Sequence, residues 1–208
     1  MITQSSIEKF LDDLASGSAT PGGGSVAAVM GAMGAALVSM VCNVTIGKQG
    51  YEAVDADMKS VLDAAEKVRR RLTATVAEDI AAVDGLMAAY QLPKSSDEDK
   101  ARRSAAIQIS MRRATETPIE CARACAEVIA LSRRASEHGY LGVLGDGGVG
   151  VLAGFAGLRS AALDVYINAP SLKDRTFANQ AINEIEQLVA AGTLESEAVY
   201  ALVRNKLS

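Results

Sequence analysis

Long stretches whose apolar residues recur every three or four positions alternate along this chain with short breaks of glycine, proline or capping residues. Ser5-x-x-Glu8 reads as a capping box, after which Ile7, Phe10, Leu11 and Leu14 mark one face of a short helix ending near Gly17. Thr20 and Pro21 suit the N-cap and first position of a second helix, whose residues from Val26 to Ile46 carry no charge. Its small residues, among them Ala27, Ala28, Gly31, Gly34 and Ala35, let neighbouring backbones approach, so it is expected to be buried on nearly all sides. Gly47 and Gly50 end it. From Glu52 to Gln91 there is no proline and one glycine, Gly85, which predicts one long helix. Its apolar seam runs Val54, Met58, Val61, Ala65, Val68, Leu72, then slips by one residue to Val76, Ile80, Val83, Met87, Tyr90. Asp79 lies seven residues beyond Leu72, about 20° from it around the helix, and so falls beside the core-facing stripe.

Pro93 stops that helix, and Ser96-x-x-Asp99 starts another that reaches about Thr117, where Pro118 should kink or end it. A further helix covers 119–137 and stops at Gly139. A glycine-rich connection over 139–148, with Asp146 as N-cap, leads to a second largely apolar helix from Val149 to Ile167, closed by Asn168-Ala169-Pro170. Helices over 173–191 and 194–207 meet at Gly192, and no alternating strand of convincing length appears. The expected fold is all-α, an antiparallel helical bundle with a buried central apolar helix, as one domain over 1–208.

Composition narrows the function classes. Hydrophobic residues reach 49% and aromatic residues only 4%, so the core must be built from Ala, Val, Leu, Ile and Met, which favours close-packed helices. A net charge of −4 gives no global reason to expect nucleic acid. Cys42, Cys121 and Cys125 are an odd set within apolar helix patterns and read as reduced core residues. The uncharged run approaches the length of a bilayer span, but Ser25, Ser39, Asn43 and the charged helices that follow weigh against one. With no basic leader pattern at the N-terminus, a cytoplasmic protein without a membrane partner is expected.

Gly145-Asp146-Gly147-Gly148-Val149-Gly150 spells the dinucleotide-binding pattern, yet the parallel strands which that site needs are missing from the reading. Gly22, Gly24 and Ala27 repeat it with the same defect. Cys121 and Cys125, with His138 the only histidine, make a poor metal set. What stands out is a group of polar residues at buried helix edges: Ser25, Asn43, Lys48, Asp79, Asp146 and Asn168. Burying them without function would be costly, and a lysine with carboxylates suits proton transfer to and from nitrogen and water. Gly22, Gly23 and Gly24 leave N–H groups open at a helix start, where a carbonyl or anion could bind.

At these residues the sequence resembles the cyclodeaminase/cyclohydrolase family of one-carbon metabolism. The resemblance is carried by Thr20-Pro21-Gly22-Gly23-Gly24-Ser25, Asn43-Val44-Thr45-Ile46-Gly47-Lys48, Glu78-Asp79, and Met87 to Lys94, continuing through Asp146, Asn168 and Asp174. It implies an all-α homodimer with a tetrahydrofolate cleft that uses neither metal nor nicotinamide cofactor. The implied reaction is reversible hydrolysis of 5,10-methenyltetrahydrofolate to 10-formyltetrahydrofolate. In that reading Asp146 or Asp79 accepts a proton from water and Lys48 orients water or protonates the departing nitrogen. Thr20, Pro21, Gly22, Gly23, Gly24 and Ser25 bind substrate, and Asn43 and Asn168 fix its orientation. The rival activity is formiminotetrahydrofolate cyclodeaminase, releasing ammonia, from which the expected lack of a formiminotransferase domain leans away. A non-catalytic helical dimer is the rival of another class.

Overall fold

The computed structural model describes residues 5–208. Among them are six α-helices: α1 (Ile7–Leu14), α2 (Gly23–Thr45), α3 (Asp55–Gln91), α4 (Asp97–His138), α5 (Leu144–Asn168) and α6 (Arg175–Leu207). Single 3-10 turns, Glu52–Val54, Leu141–Val143 and Ala169–Ser171, fill three of the connections. Helices α3, α2, α5 and α6 lie side by side in that order, and α4 underlies all four. Successive helices from α2 onward run antiparallel. Gly24 meets Asp79 while Ser39 meets Glu66 across α2 and α3, and Gly34 meets Gly150 while Gly157 meets Ala27 across α2 and α5.

Glycine sets the α2–α5 distance. A Cβ at Gly34 would stand 2.8 Å from the carbonyl oxygen of Gly150, and one at Gly157 2.8 Å from that of Ala27. Backbone therefore packs against backbone, which the small-residue pattern of α2 anticipates. Three sides of α2 are enclosed by α3, α5 and α4; the fourth, with Met33 and Val44, is open. By length and hydropathy α2 and α5 would each span a bilayer, but 56% of the α2 window is buried inside the bundle. The buried Ser39 hydroxyl donates to Glu66 of α3. The three cysteines are free and buried.

Several boundaries differ from the sequence expectation. Helix α1 is capped by Ser6, which accepts from the Lys9 N–H, one residue after the predicted box. Its apolar face does not seat against the core: Ile7 and Leu11 stay exposed above an open groove of about 490 Å³ between α1, α2 and α3. The α3 seam widens at Val76, which is buried as the shifted pattern expects, but it does not move over as a whole. The heptad continues in phase through Leu72, Thr75, Asp79, Ala82, Leu86 and Ala89, while Met87 and Tyr90 turn outward. Asp79 therefore occupies a core-facing position itself. Helix α6 runs unbroken through Gly192, which is buried because Leu158 of α5 fills the space a side chain would need. Gly147, Gly148 and Gly150 likewise lie within α5, packed on Ser136, Val203 and Gly34, and form no phosphate turn.

Pro118 sits inside α4, which continues unbroken past the expected stop. A proline leaves the carbonyl four residues earlier without its helical donor, here that of Ala114. Asn168 at the end of α5 supplies the missing donor, its Nδ2 lying 2.8 Å from the Ala114 oxygen. Replacing Asn168 by alanine should leave that carbonyl unpaired and cost about 1–3 kcal/mol. Chemical denaturation checks this, and a midpoint unchanged from the parent protein would refute it.

Candidate active site

The N-terminus of α2 is built in an unusual way. Gly22 is its N-cap, so no side chain of the turn itself satisfies the first N–H groups, and Pro21 follows a cis peptide bond outside the helix. The expectation that Thr20 caps and Pro21 begins the helix is corrected accordingly. Thr20 instead donates to Asp84 of α3, 3.3 Å away. The cap comes from across the bundle: the Asp79 carboxylate accepts from the Ser25 hydroxyl at 2.7 Å and from the Ser25 backbone. Gly24 has to be glycine for this, because a Cβ there would overlap the Asp79 carboxylate.

Beside this cap α5 brings a second carboxylate, which the sequence reading did not select. Asp164 lies against Gly23, and its Oδ2 is buried without a hydrogen-bond partner within the described residues. Burial, followed by the negative charge of Asp79, pushes the Asp164 carboxyl up to about 6. Burial also raises Asp79, opposed by its two bonds from Ser25. The two carboxylates face a cavity of about 170 Å³ lined by Gly22, Gly23, Gly24, Val83, Leu86, Ala114 and Asn168, among others. Such a cavity holds water and the edge of one ring. It is smaller than the usual small-molecule site of about 300–1,000 Å³, so a larger ligand must extend out of it.

The sequence-selected residues fall into two groups. Gly22, Gly23, Gly24, Ser25, Asp79 and Asn168 meet here. Lys48, Asn43 and Asp146 do not. Lys48 follows the far end of α2, where its ammonium lies 3.8 Å from the centre of the Tyr140 ring, and Asn43 is exposed near the same end. At 1.5 Å per residue, α2 separates Gly24 from Thr45 by roughly 30 Å, and α5 separates Asp146 from Asp164 by roughly 27 Å. Asp146 is not an N-cap; it lies in the first turn of α5, where a negative charge complements the helix dipole.

A family model for formiminotransferase-cyclodeaminase matches residues 6–187. The chain belongs to this family. A methenyltetrahydrofolate cyclohydrolase from Methylorubrum extorquens is 51% identical over 208 residues, the full length of both chains. The porcine formimidoyltransferase-cyclodeaminase is 34% identical over 201 residues, which span 97% of this chain but 36% of that protein. Among solved structures, the formiminotetrahydrofolate cyclodeaminase of Thermotoga maritima superposes with a TM-score of 0.84 at 28% identity, covering 100% of this chain and 98% of that one. As a cyclodeaminase-family protein, the chain has the all-α fold that its heptads imply.

Proposed function

We propose that this protein is a methenyltetrahydrofolate cyclohydrolase, converting 5,10-methenyltetrahydrofolate and water to 10-formyltetrahydrofolate in the cytoplasm. The observation that carries the reading is the end-to-end likeness, at 51% identity, to a cyclohydrolase of equal length. The cyclodeaminases stand further off, at 34% and below.

The cavity supplies suitable chemistry. The methenyl bridge is an amidinium cation, and two carboxylates at the mouth of a small cavity favour its approach. Water placed on the unpaired Asp164 oxygen loses a proton to it while its oxygen bonds to the bridge carbon. The resulting carbinolamine collapses with cleavage of the carbon–N5 bond: N5 takes the proton held by Asp164, and the carbinolamine hydroxyl gives its remaining proton to the carboxylate so regenerated, and from there to solvent, as the formyl C=O forms. The product is the 10-formyl compound, and the formyl carbon keeps the water oxygen. Asp79 acts on Asp164 by its charge and holds the α2 terminus in place, making it a positioning residue. This assignment moves the base from Asp146 or Asp79, the two that the sequence offered, to Asp164. It asks for neither metal nor nicotinamide.

Lys48 and Asp146 can join this cavity only from another copy. The open side of α2 leaves Met33 and Val44 exposed, and its neighbour α5 leaves Val149, Leu152, Leu163 and Ile167 exposed. An exposed apolar surface of this extent favours a homodimer. A two-fold axis across the helices would carry the Lys48 end of one copy to the Asp79 end of the other.

The deciding experiment follows loss of methenyltetrahydrofolate absorbance, corrected for spontaneous hydrolysis, alongside ammonia release from the formimino compound. Accelerated hydrolysis without ammonia release is expected, from protein sedimenting at twice the chain mass. Ammonia release without hydrolysis would assign the rival activity.

A further inference from the structure

Lys48 follows α2 in a tightly bonded turn. Gly47 and Gly50, on either side, both take positive φ, and between them the Lys48 N–H donates to the Thr45 carbonyl while the Lys48 carbonyl accepts from the Tyr51 N–H. The ammonium then lies 3.8 Å from the centre of the Tyr140 ring. That ring is held from three directions. The Tyr140 N–H donates to the buried Thr45 hydroxyl at 2.9 Å, the Tyr51 ring meets it edge-on with centroids 5.7 Å apart, and Gly142 packs so close that a Cβ there would stand 2.5 Å from its Cε1. The Tyr51 hydroxyl in turn accepts from the Leu141 N–H.

The cation held in this way has no anion. Lys48 makes no ion pair among the described residues, and the acids that follow it in sequence are engaged elsewhere: Glu52 accepts from the Gly50 N–H, Asp55 accepts from the Gly47 N–H and pairs with Lys59, and Asp57 pairs with Arg134. The opposite condition holds at the other end of α2 and α5. Asp79 is bonded by Ser25, Asp164 has an oxygen without a partner, and neither carboxylate forms an ion pair among the described residues. Between the two ends α2 carries no charge from Val26 to Ile46.

We propose that Tyr140 is a positioning residue for the hydrolysis, its ring presenting the Lys48 ammonium of one copy to the Asp79 and Asp164 carboxylates of another. The inference rests on the cyclohydrolase reading and on the two-fold pairing given with it. A ring face suits the task because it attracts a cation without neutralising it. A carboxylate in the same place would cancel the charge before it reached the second copy. The assembled site sets two carboxylates against the substrate amidinium and one ammonium. The Lys48 N–H groups that face away from the ring bond to the water oxygen, and hold it as it becomes the oxygen of the carbinolamine and then of the formyl group.

A mutant cycle tests this. Lys48→Ala should lower kcat about a hundredfold, as loss of a donor to the reacting oxygen does, and Tyr140→Leu about tenfold, in keeping with a half-buried cation–π contact. Neither should raise KM by more than about twofold. Tyr140→Phe, which keeps the ring face, should restore most of kcat. In the Lys48→Ala protein, adding Tyr140→Leu should change kcat no further, because the ring acts only through the ammonium. A full further loss there, or a Tyr140→Phe enzyme as slow as Tyr140→Leu, would overturn the proposal. So would a raised KM, which would mark the ring as a contact of the substrate itself. Mixed dimers make the test independent of how well the leucine variant folds. Lys48→Ala and Asp164→Asn homodimers should both be slow, whereas dimers holding one copy of each, isolated through two affinity tags, should regain about half the parent rate, since one of their two sites is intact. Mixed dimers as slow as the homodimers, from a parent protein that hydrolyses substrate, would overturn the proposal alone. A parent protein without hydrolysis would reject the cyclohydrolase reading and the proposal with it, so the two failures are distinguishable.

Discussion

Asp164→Asn is expected to lower kcat for methenyltetrahydrofolate hydrolysis by about 10²–10⁴, the usual contribution of a positioned general base. Asparagine keeps the shape and the contact with Gly23 but cannot take a proton from water. The pH dependence is the sharper part of the prediction. The base must be ionised, and its carboxyl sits at about 6, so kcat/KM in the parent protein should rise as pH rises through 6 and level off above it. Asp79→Asn removes one of the two causes that raise Asp164, the neighbouring charge, and leaves burial. The rising limb should then move to lower pH. A residue that only capped α2 would change melting temperature and leave that limb where it was. An Asp164→Asn enzyme within a factor of a few of the parent would refute the assignment, as would a rate that falls across pH 5–7.

The contrast between Asp79 and Asp164 marks how far the sequence could be read. Asp79 is visible because a heptad announces which positions face inward, and a carboxylate on that stripe calls for a partner. Its neighbours mislead, since Ile80, Val83 and Met87 imitate a shifted seam when the chain is in fact making room for a cavity beside Ala82. Asp164 carries only a weak signal, a charge interrupting an apolar helix, and its approach to Gly23 depends on how α5 crosses α2. Pro118 fails as a breaker for the same reason: the donor that rescues Ala114 lies 54 positions away in sequence. Local rules cannot register a bond of that kind. Lys48, Asn43 and Asp146 were recognisable as residues by family likeness, but no pattern along the chain records that α2 and α5 hold them far from Asp79 within one subunit.

That long-range geometry rests on the glycines between α2 and α5, and Gly34→Val is expected to have the largest effect on stability. A Cβ at Gly34 meets the Gly150 oxygen at 2.8 Å, the Val128 side chain at 2.9 Å and the Gly154 nitrogen at 3.1 Å. Two of these three are backbone atoms, which no rotamer change can move aside. The better helix propensity of valine returns only a few tenths of a kcal/mol, against an overpacking cost of about 3 kcal/mol or more with two further methyl groups to place. For a chain of this size such a loss lowers the melting temperature by roughly 10 °C. Gly85→Ala is the matched control. Gly85 lies in the middle of α3 with nothing within 4 Å of a new Cβ, so alanine there should stabilise by about 0.5–1 kcal/mol. The two glycines look alike in sequence, and they should move the melting temperature in opposite directions because only one stands between two backbones. Activity should track the first change as well. Forcing α5 away from α2 at Gly34 draws Asp164 from the glycine turn, so Gly34→Val protein that is still folded at low temperature should hydrolyse substrate poorly. A Gly34→Val protein melting within a degree or two of the parent would show that α2 and α5 do not depend on backbone contact.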